Sequence, residues 1–89
     1  MARILVSAAE VDITAGVANS TTVNNARFVR IYNNSGGVAT LYVQDAGYTG
    51  IGSVSIKDGA VEVIEKHQED TIYFDGSGTI KAARIGITA

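Results

Sequence analysis

The residue best suited to chemistry in this chain is its single histidine, His67, set among Glu65, Lys66, Gln68, Glu69 and Asp70. A catalytic histidine needs an orienting acid and a nucleophile or substrate within hydrogen-bond reach. Acids next to it in sequence are what any charged connection supplies, so His67 reads as a solvated loop residue. With no second histidine and no cysteine, a His- or Cys-built metal site has no ligands to draw on.

The acids Asp45, Asp58, Asp70 and Asp75 all fall near turns. Calcium requires several converging oxygens, commonly from acids at alternating positions. Asp75-Gly-Ser-Gly offers one carboxylate and stops, and Glu69 and Asp70 are adjacent, so on a strand they point apart. Turn acids bond their own backbone. Gly47-Tyr-Thr-Gly-Ile-Gly52 lacks a Lys-Ser/Thr ending and opens no helix, so it has no dipole end to hold a phosphate. No catalytic pair stands at a defensible spacing. The expectation is a non-enzymatic protein without metal or cofactor.

The aromatics are better candidates, for contact rather than catalysis. Phe28, Arg30 and Tyr32 alternate with Val29 and Ile31, so they share one strand face. A hairpin after Tyr32 would set Tyr42 across from that face. Tyr48 sits in a loop. An amphipathic ring at a surface anchors another protein well. Phe28, Arg30, Tyr32, Tyr42 and Tyr48 are therefore the candidate interface, although half-buried sheet packing is the ordinary role of such residues.

The elements that must carry these residues are strands. Val, Ile and Thr make up 28 of the 89 residues, and Leu occurs only at Leu5 and Leu41. β-Branched side chains are stiff on a helix and pack well on a pleated surface. Strands are expected over residues 2–6, 11–15, 27–32, 38–44, 51–57, 60–64, 71–74 and 79–88, with an irregular stretch over 15–25. Asn33-Asn-Ser-Gly-Gly37 and Asp58-Gly59 are hairpin signals, since Asn, Asp and Gly tolerate positive φ. Ala46–Gly50 and Asp75–Gly78 are further turns. Turns at this spacing predict an all-β fold, a small antiparallel β-sandwich or barrel built of meander hairpins. Lys57, Lys66, Lys81 and Arg84 are expected to blunt its edges.

One domain spanning 1–89 is expected, with residues 1–25 an N-terminal arm making inter-subunit contacts. A domain of this size buries only roughly 60–65% of the surface its unfolded chain exposes. The chain also has no disulfide, so burial against another copy or a partner is the expected remedy. The net charge of −2 gives no basic excess for nucleic acid, and no apolar run reaches the roughly 18 residues of a membrane helix. Met1-Ala-Arg-Ile-Leu-Val lacks the pattern of a secretory signal.

Ala26–Gly37, Ile51–Lys66 and Asp70–Ile72 together resemble small virion proteins of tailed bacteriophages, of the kind carried by cyanophages and other marine phages. The resemblance covers roughly residues 26 to 88. It implies a capsid decoration or cement protein on the virion surface, made in the host cytoplasm. It implies the major capsid protein as partner, and a cyclic homo-oligomer such as a trimer. Two other readings stay open: a tail, neck or fibre-associated β-module, and a carbohydrate-binding sandwich suggested by Tyr48 and the Asn-rich loops.

Overall fold

The computed structural model describes residues 3–88. Its strands, in order, are β1 (Arg3–Val6), β2 (Val11–Thr14), β3 (Phe28–Tyr32), β4 (Ala39–Gln44), β5 (Gly50–Ile56), β6 (Val61–Glu65), β7 (Thr71–Asp75) and β8 (Thr79–Thr88). A single 3-10 turn covers Val17–Asn19.

Two antiparallel sheets stack as a sandwich. Sheet A runs β1-β8-β3-β6, with β2 also paired to β8. The long strand β8 carries β1 along residues 85–88 and β2 along 79–82, so those two short strands share its edge. Sheet B runs β5-β4-β7.

Period-two alternation builds the core. Val29 and Ile31 of β3, Ile13 of β2 and Ile80 and Ala82 of β8 turn inward from sheet A. Ala39, Leu41, Ile56, Ile72 and Phe74 meet them from sheet B. Each large aliphatic or aromatic chain fully buried this way contributes about 1.5–3 kcal/mol.

The all-β sandwich is as expected; the meander is not. Among the described residues, only β4 and β5 form a local hairpin. The turn residues behave as their types require, with Gly36 at φ 94°, Gly59 at 81° and Gly78 at 72°. Yet the Asn33–Val38 segment crosses from sheet A to sheet B, and Asp58-Gly59 crosses back. Asn33 is fully buried and bonds both crossings. Its Nδ2 donates to the carbonyls of Gly37 and Ile56, both at 2.8 Å. Its Oδ1 accepts from the Ser35 N–H and hydroxyl. Its own N–H donates to Ala60 O, and its carbonyl accepts from Gly59 N. Asp58 Oδ1 accepts from Gly36 N at 3.0 Å, closing one crossing onto the other. These bonds satisfy backbone groups that a hairpin ladder would have paired.

Residues 11–26 also depart from expectation, because they belong to the body rather than to an arm. β2 lies in sheet A, Gly16 N donates to Phe74 O, and Thr21 bridges Ile72. Val23, Asn24 and Asn25 then form a left-handed turn, with φ of 53°, 57° and 54°. The turn places Val23 in the core and is held by Thr21 Oγ1 and Thr22 Oγ1, which accept from the Val23 and Asn25 N–H groups. β1 is likewise paired into sheet A along β8, and Met1 and Ala2 lie outside the described residues.

Candidate functional site

Residues directly opposite on antiparallel strands share a face, so register alone assembles the outer surface of sheet A. One row runs Val6, Ile85, Phe28, Glu65 across β1, β8, β3 and β6. The next runs Ala83, Arg30, Val63, and the third runs Asp12, Lys81, Tyr32, Val61. The middle of this face is aliphatic and aromatic around one guanidinium, and charged pairs stand at its margins. Val6, Val61 and Val63 are exposed, while Phe28, Arg30 and Tyr32 are half-buried against their neighbours.

The charges are tied down. Arg27 lies 3.1 Å from Glu65, with its guanidinium 5.7 Å from the Phe28 ring centroid. Arg30 lies 3.6 Å from Glu10. Lys81 Nζ donates to Asp12 Oδ1 at 2.7 Å; that hydrogen bond and its charge hold the lysine above its usual pKa. An apolar centre with a polar rim is the anatomy of a protein-binding patch.

Of the predicted interface residues, the structure brings together Phe28, Arg30 and Tyr32. Tyr42 is not with them. It lies on β4, in the outer face of sheet B, because the chain crosses between sheets after β3. There it stacks on Tyr73, ring centroids 4.9 Å apart and planes 10° from parallel. Tyr48 is exposed in the loop of the β4–β5 hairpin, at φ 63°. Its loop is shaped by Asp45 Oδ1, which accepts from the Gly47 and Thr49 N–H groups at 2.9 Å.

The remaining chemical candidates fall to structural roles. His67 is exposed, and its N–H donates to Asp70 Oδ2. Asp45, Asp58 and Asp70 each bond backbone N–H groups, as turn acids do. Among the described residues no three His, Cys, Asp or Glu side chains converge as a metal site. Nor is any helix there long and apolar enough to cross a membrane.

Sequence reasoning misplaced three cations and missed the place of two valines. Lys66, expected to blunt an edge, is buried. Its Nζ donates to Ala26 O at 2.6 Å and also to His67 O and Gln68 O. Burial pushes its ammonium below the usual lysine pKa, and Asp70 pulls it partly back. Lys81 and Arg84 are likewise not edge guards, since β8 is paired on both sides. Val61 and Val63 were legible as alternating outward residues of β6. Their union with Phe28, Arg30 and Tyr32 depends on a non-local register that no short pattern encodes.

Comparison of the chain with protein-family models, curated proteins and solved structures finds no match.

Proposed function

We propose that the protein is a non-enzymatic structural module that docks through the outer face of sheet A, and that its target is an assembled phage capsid lattice. It would act there as a decoration or cement protein bound to the major capsid protein. The observation that carries the docking reading is the set of three register rows centred on Arg30, Phe28, Tyr32 and Val63. The virion resemblance of residues 26 to 88 supplies the lattice. Four strands of about five residues make a face of about 19 by 17 Å. That is small beside the roughly 800 Å² per partner of a stable pairwise contact. A repeated target offsets this, because many weak contacts on one shell add as avidity. A rigid module that binds the assembled form better than free subunits stabilises the assembly by mass action.

The test is co-sedimentation with assembled capsids of a phage encoding the protein. Wild type should pellet with shells and not with unassembled capsid protein. Val63→Glu and Arg30→Ala, both on the outer face, should lose pelleting while keeping wild-type circular dichroism. Retained pelleting in both variants, or equal binding to free subunits, would overturn the reading.

The tyrosine stack favours a second reading. Tyr42 and Tyr73 lie beside Ser53, Ser55 and Thr40 on the outer face of sheet B, where paired register positions bring rings and hydroxyls together. Sugars bind such surfaces by stacking and hydroxyl hydrogen bonds. A glycan array without signal, alongside stoichiometric capsid binding, disposes of it.

A further inference from the structure

β5 and β6 are edge strands of different sheets, joined through Asp58-Gly59, so their unpaired edges border the same side of the sandwich. That side is not closed. The inward positions of β5 are Gly52, Val54 and Ile56, opposite Val43, Leu41 and Ala39. Ile56 is buried, but Val54 is 45% exposed although its partner Leu41 is fully buried. A Cβ placed on Gly52 would meet no atom within 4 Å. The seam therefore widens from Ile56 toward Gly52 into an open cleft of about 1260 Å³. Val43, Ile51 and Gly52 of sheet B line it, as do Glu65 and the connection that follows β6. Asp45, Glu65, Glu69 and Asp70 set four carboxylates around it. The cations there are Arg27, already paired with Glu65, and Lys66, whose ammonium is turned to backbone carbonyls.

The opposite edge of sheet A presents the complement. In β1, Ile4, Leu5 and Val6 are 50%, 58% and 73% exposed, an aliphatic run largely open to solvent. One edge of β1 pairs with β8, and the other ends the sheet. Residues 3–9 contain Arg3 and no acid. β1 and β6 lie three strand spacings apart, about 14 Å, at opposite edges of sheet A. The strand of one molecule stays on β8 and cannot serve its own cleft.

We propose that β1 of one copy docks in the β5–β6 cleft of a second copy, as an added strand along the open seam. Its free edge takes up unpaired backbone groups of the β5 edge. The Leu5 side chain, which faces opposite to Ile4 and Val6, fills the hollow beside Gly52 and leaves water. Donor and acceptor are different surfaces, so the contact is head-to-tail, and it closes into a ring or propagates as a chain. The inference does not rest on the lattice reading, since Gly52 and the β5 edge that would receive the strand belong to sheet B and not to the outer face of sheet A.

The test uses two variants of the full chain. Leu5→Glu removes the donor at an exposed position. Gly52→Phe fills the acceptor, where no positive φ forbids a side chain. In sedimentation velocity, with circular dichroism verifying the fold, wild type should self-associate, and each variant alone should associate at least about tenfold more weakly. An equimolar mixture of the two should form dimers and nothing larger, because one competent donor and one competent cleft remain. Wild type that stays monomeric at about 1 mM, variants that associate like wild type, or a mixture that stays monomeric would each overturn the proposal. Gly52→Phe should still pellet with capsids, so loss of self-association and loss of lattice binding are read separately.

Discussion

Asn33 Nδ2 donates to the carbonyl of Ile56 at 2.8 Å, joining the end of a sheet A strand to the end of a sheet B strand 23 residues later. The same amide holds Gly37 O, so one side chain pins both crossings that make this chain a sandwich rather than a row of hairpins. With both amide hydrogens donated and the oxygen accepting twice, only a side-chain amide carries the set, and glutamine's is set one methylene further from the backbone.

Asn33→Ala should therefore destabilise the protein by about 2–4 kcal/mol, because it strands buried carbonyls as well as losing bonds. Asn33→Asp should do at least as much harm, since it replaces two donors with a buried charge. Urea unfolding checks both. A midpoint within error of wild type for either would show that the crossings hold without Asn33.

The left-handed turn at Val23, Asn24 and Asn25 predicts opposite effects at one position. Asn24→Gly should leave stability unchanged or raise it slightly, because glycine adopts φ near 57° without strain. Asn24→Ala should cost about 1 kcal/mol. For a domain of this size that is a fall of about 4–8 °C in Tm. Equal melting points for the two variants would mean the turn is not maintained in solution.

Lys66 gives the protein a pH dependence of known sign. Its pKa is lowered in the fold by burial, so the native state sheds the proton before the unfolded state does. The burial penalty is present below the native pKa and is relieved as pH rises through it toward the unfolded value of 10.5. Lys81, raised by Asp12, acts the other way: it loses its stabilising contribution as pH rises through its folded pKa. Comparison with Lys66→Met isolates the first effect. The variant should be less stable at neutral pH by about 1–3 kcal/mol, because Ala26 O loses its donor. The gap should widen as pH rises through the lowered native pKa toward 10.5, followed by urea unfolding. A gap that narrows would contradict the assignment of burial as the dominant cause.

The Tyr42–Tyr73 stack should register as coupling rather than as two independent losses. A double-mutant cycle with Tyr42→Ala and Tyr73→Ala should give an interaction energy of about 0.5–1.5 kcal/mol. Additive effects would mean that the rings do not rest on each other in solution.

The strands themselves were written in local chemistry. Alternation of Val29 and Ile31 with Phe28, Arg30 and Tyr32 set both the extended backbone of β3 and its inward and outward faces, because side-chain direction has a period of two. Asn33–Gly37 and Asp58-Gly59 likewise announced chain reversals, since few residue types accept the required φ. What local chemistry does not contain is the identity of the partner strand. β3 pairs with β6 and β8, which lie some 30 and 50 positions away in sequence, about 4.8 Å away in space. That choice rests on how two apolar faces close over one core and on where one buried amide finds its carbonyls. It is why Phe28, Arg30 and Tyr32 gained Val63 and Ile85 as neighbours, why Tyr42 went to the other sheet, and why a lysine in a charged run became a buried donor.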